Sequence, residues 1–88
     1  MPKLIQDVNL GKNLQRLRKA KNLTQDEICA KLDLVGRPML RSTYAQIETG
    51  ARNIFVSDLI ALKNIFNVEY DEIFKELKPI NKYELKPN

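Results

Sequence analysis

The chain has 88 residues, a formal net charge of +4, no histidine and one cysteine. A chain this small buries roughly 60–65% of its unfolded surface, which allows one thin core and excludes a second sizeable domain. There is no run of about 18 apolar residues, so no membrane span is expected. The start, MPKLIQDVNL, lacks the long apolar segment of a secretory signal. A single cysteine cannot form an internal disulfide, and the expectation is a cytoplasmic protein. No glycine-rich phosphate loop and no Cys/Asp/Glu cluster at metal-binding spacing occurs, so no enzyme, cofactor or metal is expected.

The charge is unevenly placed. Residues 1–50 carry nine Lys/Arg against five Asp/Glu, and residues 51–88 carry six of each. The whole excess lies in the first half. That gradient fits a nucleic-acid partner, and it fits equally a merely soluble basic surface.

Residues 1–8 read as a tail or arm, because Pro2 and Lys3-Leu4-Ile5 give no helical period. Asn9 or Asp7 can cap a first helix running to about residue 21. Leu10, Leu14 and Leu17 form its buried stripe, and Lys12, Arg16, Arg18, Lys19 and Lys21 take the remaining faces. Cations near its C-terminal end suit the helix dipole. Asn22-Leu23 is a turn, with Leu23 turned inward. Thr24 caps a second helix, and Glu27 three residues later completes a capping box. That helix spans residues 25 to about 32 and places Ile28 and Leu32 on one face. A connector follows over residues 33–39, where Gly36 and Pro38 oppose helix continuation. Pro38 also suits a first helical position, which would start the next helix a turn earlier.

The third helix runs from residue 40 or 41 to 49, and Gly50 supplies the left-handed position after it. Its expected inward face is Leu40, Tyr44 and Ile47. Arg41, Ser42, Ala45 and Gln46 then point away from the core. A cation, a hydroxyl, a small residue and an amide on one short helix suit a DNA major groove. After a loop over residues 51–56, Ser57 is expected to cap a fourth helix over 58–66, burying Leu59, Leu62, Ile65 and Phe66. Asn67 takes the left-handed position, with Val68 closing the cap. A fifth helix from residue 70 or 71 to 77 buries Ile73, Phe74 and Leu77, and Pro79 stops it. The last ten residues form a tail. No repeat, low-complexity tract or strand pattern is present.

Taken together, Leu10-Gly11-Lys12, Leu17-Arg18-Lys19-Ala20, Leu23-Thr24-Gln25, Arg41-Ser42-Thr43-Tyr44 and Ile47-Glu48-Thr49-Gly50 resemble the phage repressor and Cro-like helix-turn-helix proteins, the XRE family. The resemblance covers about residues 9–77. It implies an all-α, five-helix, lambda-repressor-like domain, with tails over 1–8 and 78–88, that binds double-stranded operator DNA and is commonly a homodimer. Two departures stand out. Val35-Gly36-Arg37-Pro38-Met39 lengthens the connector between helices 2 and 3. Leu40 aligns with the serine or threonine that normally caps the recognition helix. Cys29 falls where the family prefers alanine, and a small buried thiol meets that steric demand.

On this reading Arg41 is the leading base-reading residue, because a guanidinium can grip guanine O6 and N7 bidentately. Its plainer alternative is a phosphate contact or free surface charge. Ser42 and Gln46 share the same edge, and the Gln46 amide can pair with adenine. Thr24 and Gln25 lie at the start of helix 2, where backbone N–H groups face outward toward a phosphate. The resemblance assigns Gln25 to the sugar-phosphate backbone, and it matches Arg52 and Asn53 to the family's phosphate-clamping loop. Thr43 and Tyr44 either pack or touch phosphate. Arg37 is a phosphate contact or a solvated loop arginine. Glu48 is expected to pair with an arginine of helix 1 or a loop.

The function this implies is a transcriptional regulator that represses by occupying its operator, with a protein partner as one means of switching. The alternative is a protein-interaction module of the same fold, an antitoxin or a bridging adaptor.

Overall fold

The computed structural model describes residues 3, 4, 6, 8–81 and 83. The elements run β1 (Lys3–Leu4), α1 (Gly11–Ala20), α2 (Gln25–Leu34), α3 (Arg41–Thr49), β2 (Ile54–Phe55), α4 (Val56–Phe66) and α5 (Tyr70–Ile73). The fold is helical, as the sequence predicts, with five helices among the described residues around one core. α3 packs against both α1 and α2, and α2 also packs against α4.

The helix ends follow from local sequence. Thr24 accepts a hydrogen bond from the Glu27 N–H at 3.1 Å, and the Glu27 carboxylate accepts the Thr24 N–H at 2.9 Å. Four helices close in the same way, with a left-handed residue after the last turn, α1 with Asn22 at φ +56°. Gly36 follows α2 at φ +81°, Gly50 follows α3 at +82° and Asn67 follows α4 at +54°. After α2, the Gly36 N–H donates to Asp33 O and the Arg37 N–H to Leu32 O. These two bonds satisfy carbonyls that the helix leaves open.

Gly11 has a different role. A Cβ at this position would run into the carbonyl oxygens of Ile47 and Glu48. The start of α1 therefore crosses the end of α3 at a distance only glycine permits.

Several expectations need correction. Leu40 does not face the core: it is 73% exposed, in extended backbone just before α3. Met39 packs on the core instead. Asn9 does not cap α1, whose start has Leu10 in the capping position and no side-chain cap there; Asp7 lies outside the described residues. Ser57 is not a cap either, because α4 already begins at Val56. α5 ends at Ile73 rather than at 77. The Asn13 side-chain amide, reaching across from α1, donates to Ile73 O and Lys75 O at 2.9 Å each and closes it. Glu76 then takes a positive φ, Leu77 packs on the core and Phe74 stays exposed.

The arm holds a strand that the sequence did not signal: β1 pairs antiparallel with β2, Lys3 opposite Phe55 and Leu4 opposite Ile54. Arg18, expected on an outer face, is buried.

Candidate nucleic-acid interface

Burying Tyr44 and Ile47 turns the opposite edge of α3 outward. Arg41, Ser42 and Gln46 are exposed there, and Thr43 and Ala45 are half-buried at its margins. Two open clefts border the helix. One, about 560 Å³, is lined by Lys19, Thr24, Gln25, Asp26 and Arg41 among others. The other, about 250 Å³, lies between the connector, Thr43, and Arg52-Asn53. Arg41 and Thr43 are about 200° apart around the helix, so the clefts flank it on different sides.

A chain of side chains ties this surface to the core. Arg18 and Glu48 form a doubly hydrogen-bonded pair, Nε to Oε2 at 2.7 Å and Nη2 to Oε1 at 3.1 Å. A third Arg18 nitrogen donates to Leu23 O at 2.8 Å. Gln25 donates from Nε2 to Glu48 Oε1 at 3.1 Å and accepts at Oε1 from Arg41 at 3.4 Å. Arg41 thus leaves the surface of α3 already leaning on α2, and its Nε also lies 3.7 Å from Asp26. Burial pushes the Glu48 carboxyl up, but Arg18, with Tyr44 and Gln25 beside it, outweighs this and holds it below the ordinary 4.5. The Arg18 guanidinium is raised in turn, chiefly by its hydrogen bond to Glu48.

At the other end of α3, Arg52 Nε donates to Gln46 Oε1 at 2.9 Å. The Gln46 oxygen keeps a second lone pair and its amide keeps its donors, so base pairing by this side chain stays open. Asn53 is exposed, and its Oδ1 accepts the Gln6 N–H at 3.1 Å.

Tyr44 is fully buried, which removes it as a DNA contact. Its hydroxyl has no hydrogen-bond partner of good geometry among the described residues. Burial first, and the nearby Glu48 carboxylate second, raise its pKa. Arg37 is drawn into the fold: its Nε pairs with Asp58 Oδ1 at 2.7 Å, and its guanidinium lies 5.9 Å from the Phe55 ring centre. It holds the connector to α4, which leaves it poorly placed as a phosphate ligand. Cys29 is half-buried against the core, and burial raises its thiol.

Three residues near this surface escaped sequence reasoning. Lys19 lines the larger cleft, where its sequence position shows only one more cation on a basic helix. Asp26 puts a carboxylate beside Arg41; its position in the first turn of α2 was a visible signal. Gln6 carried no signal at all.

Among the described residues there is no group of three His, Cys, Asp or Glu placed to hold a metal, and no helix long and apolar enough to cross a membrane. A family model described as helix-turn-helix matches residues 14–73, well over half of the chain. No curated protein and no solved structure matches it.

Proposed function

The chain belongs to the helix-turn-helix family of DNA-binding regulators, and we propose that it is a sequence-specific repressor that works by occupying a double-stranded operator. The observation that carries this reading is the outward edge of α3, where Arg41, Ser42 and Gln46 stand exposed between two clefts lined by cations and amides.

In the proposed complex α3 enters the major groove. Arg41 grips a guanine, Gln46 pairs with an adenine, and Ser42 adds a hydroxyl between them. Thr24, Gln25, Thr43, Arg52 and Asn53 take phosphates on either side and fix the register without carrying sequence information. Gln25, held by Glu48, limits the orientations open to Arg41, so less side-chain freedom is lost on binding.

One short helix reads only a few base pairs, so the working species in this proposal is a homodimer on a pseudo-palindromic site. Leu59 belongs to the core and is not available to a dimer interface. Ile60 remains exposed, beside a shallow groove that Val35 and Ala61 also line. A protein partner is proposed as the switch, and exposed Leu34 and Val35 at the end of α2 offer it an apolar foothold. The antitoxin or adaptor reading shares that foothold but leaves the polar edge of α3 without a purpose.

Selection of bound sequences from a random duplex pool tests the proposal. Enrichment of a short two-fold-related motif supports it; recovery of unenriched sequence would refute it.

A further inference from the structure

We propose that Gln6, from the N-terminal arm, is a positioning residue that sets the Arg52-Asn53 phosphate clamp against α3. This rests on the DNA-binding reading above. Four hydrogen bonds meet at this one residue. Its Nε2 donates to Ile47 O at 3.2 Å and to Arg52 O at 2.8 Å. Its Oε1 accepts the Gly11 N–H at 3.2 Å, and its own N–H donates to Asn53 Oδ1 at 3.1 Å.

Each bond meets a specific need. α1 has no side-chain cap from Leu10, and Gln6 Oε1 supplies the acceptor for its first N–H. Ile47 is in the last turn of α3; its carbonyl oxygen already accepts the Gly50 N–H, and Gln6 adds a donor to its second lone pair. Gly11 brings those two helix ends into backbone contact, so a single amide can serve both. The remaining two bonds hold the backbone of Arg52 and the side chain of Asn53. The β1–β2 ladder anchors the arm from which Gln6 projects. Arg52 in turn reaches Gln46. Gln6 is therefore bonded directly to both residues of the Arg52-Asn53 clamp, to Arg52 at its carbonyl and to Asn53 at its side chain, and Arg52 carries the link on to Gln46, proposed to read a base. Ordering that loop before DNA arrives removes a cost otherwise met on binding.

Gln6→Met keeps the side-chain length and removes the three side-chain hydrogen bonds, leaving the backbone N–H bond to Asn53 Oδ1 in place. In the intact chain this variant is expected to bind the selected operator and its single-base variants about three- to tenfold more weakly, and evenly, as loss of preorganisation of one or two side chains requires. In an Arg52→Ala/Asn53→Ala background the same change is expected to cost nothing further, because the groups it positions are gone. Losses that add, or unchanged affinity of Gln6→Met, would overturn the proposal. Native-state hydrogen exchange on the free protein supplies a readout independent of DNA. Amides of residues 50–54 are expected to lose protection in Gln6→Met while those of α2 and α4 keep theirs; an even loss everywhere would mean a merely global role and would also overturn it. If the parent chain binds no duplex DNA, the functional reading fails while the exchange result still judges Gln6.

Discussion

Arg18 and Glu48 are joined by two hydrogen bonds across the α1–α3 contact, with side chains only 11% and 1% exposed. Such a pair adds little net stability relative to well-packed apolar residues, but removal of one partner strands a buried charge. Glu48→Ala is therefore expected to destabilise the domain by about 3–5 kcal/mol, read as a fall in the urea midpoint at unchanged slope. Arg18→Met with Glu48→Leu should recover most of that loss.

The same pair gives the domain an acid limit. Glu48 has a folded pKa below its ordinary 4.5, so folding binds the deprotonated form more tightly. Its contribution is fully present above 4.5 and is lost as the pH falls through the lower folded value. Stability of the parent chain should drop over that window, and the drop should be shallower in the Arg18→Met/Glu48→Leu variant. Equal slopes in both would show that Glu48 titrates alike folded and unfolded.

Two glycines should respond differently to alanine. At Gly11 the added methyl meets backbone carbonyls of α3, which cannot swing aside. Gly11→Ala must push α1 off α3 and is expected to cost about 3 kcal/mol or more. Gly36 has a left-handed φ but open space around it, so Gly36→Ala should cost only the conformational penalty, about 1–2 kcal/mol. Thermal melts of the two variants check the ranking, and a Gly36→Ala loss as large as that of Gly11→Ala would contradict it.

Asp26 stands where a phosphate is proposed to approach, and its ion pair with Arg41 is long and exposed, hence worth little to the fold. Asp26→Asn is expected to raise affinity for every duplex by about two- to fivefold at low salt, with the gain shrinking as salt screens it. Weaker binding would show instead that Asp26 orients Arg41 productively.

The parts of this molecule that were legible in its sequence are those fixed over four or five residues. The Thr24-Glu27 box, the left-handed Gly50 and Asn67, and the Leu10-Leu14-Leu17 stripe each depend on neighbours in the chain. The misread parts depend on distant ones. Leu40 has the right period to be inward, but the long connector lets Met39 take that place. Glu48 pairs with a helix 1 arginine as expected, but Arg18, thirty residues away, looks like one more surface cation until the fold brings the two together. Asn13 ends α5 from a helix sixty residues earlier, and a two-residue strand is too short to show alternation. At the candidate interface, the period of α3 was enough to expose Arg41, Ser42 and Gln46. It gave no hint of Gln6 behind the clamp, and it left Tyr44 open to two readings that burial separates.

The most direct test of the central claim is the affinity of the parent, Arg41→Ala, Gln46→Ala and Arg52→Ala for the selected operator and each of its single-base variants. Arg41→Ala and Gln46→Ala are each expected to lose about 1–3 kcal/mol at one base pair and to relax the preference there. Arg52→Ala should weaken all sequences alike, with a slight further relaxation at the base read by Gln46, which it steadies. If Arg41→Ala and Gln46→Ala instead lower every affinity evenly and leave all base preferences intact, the outward edge of α3 does not read DNA sequence.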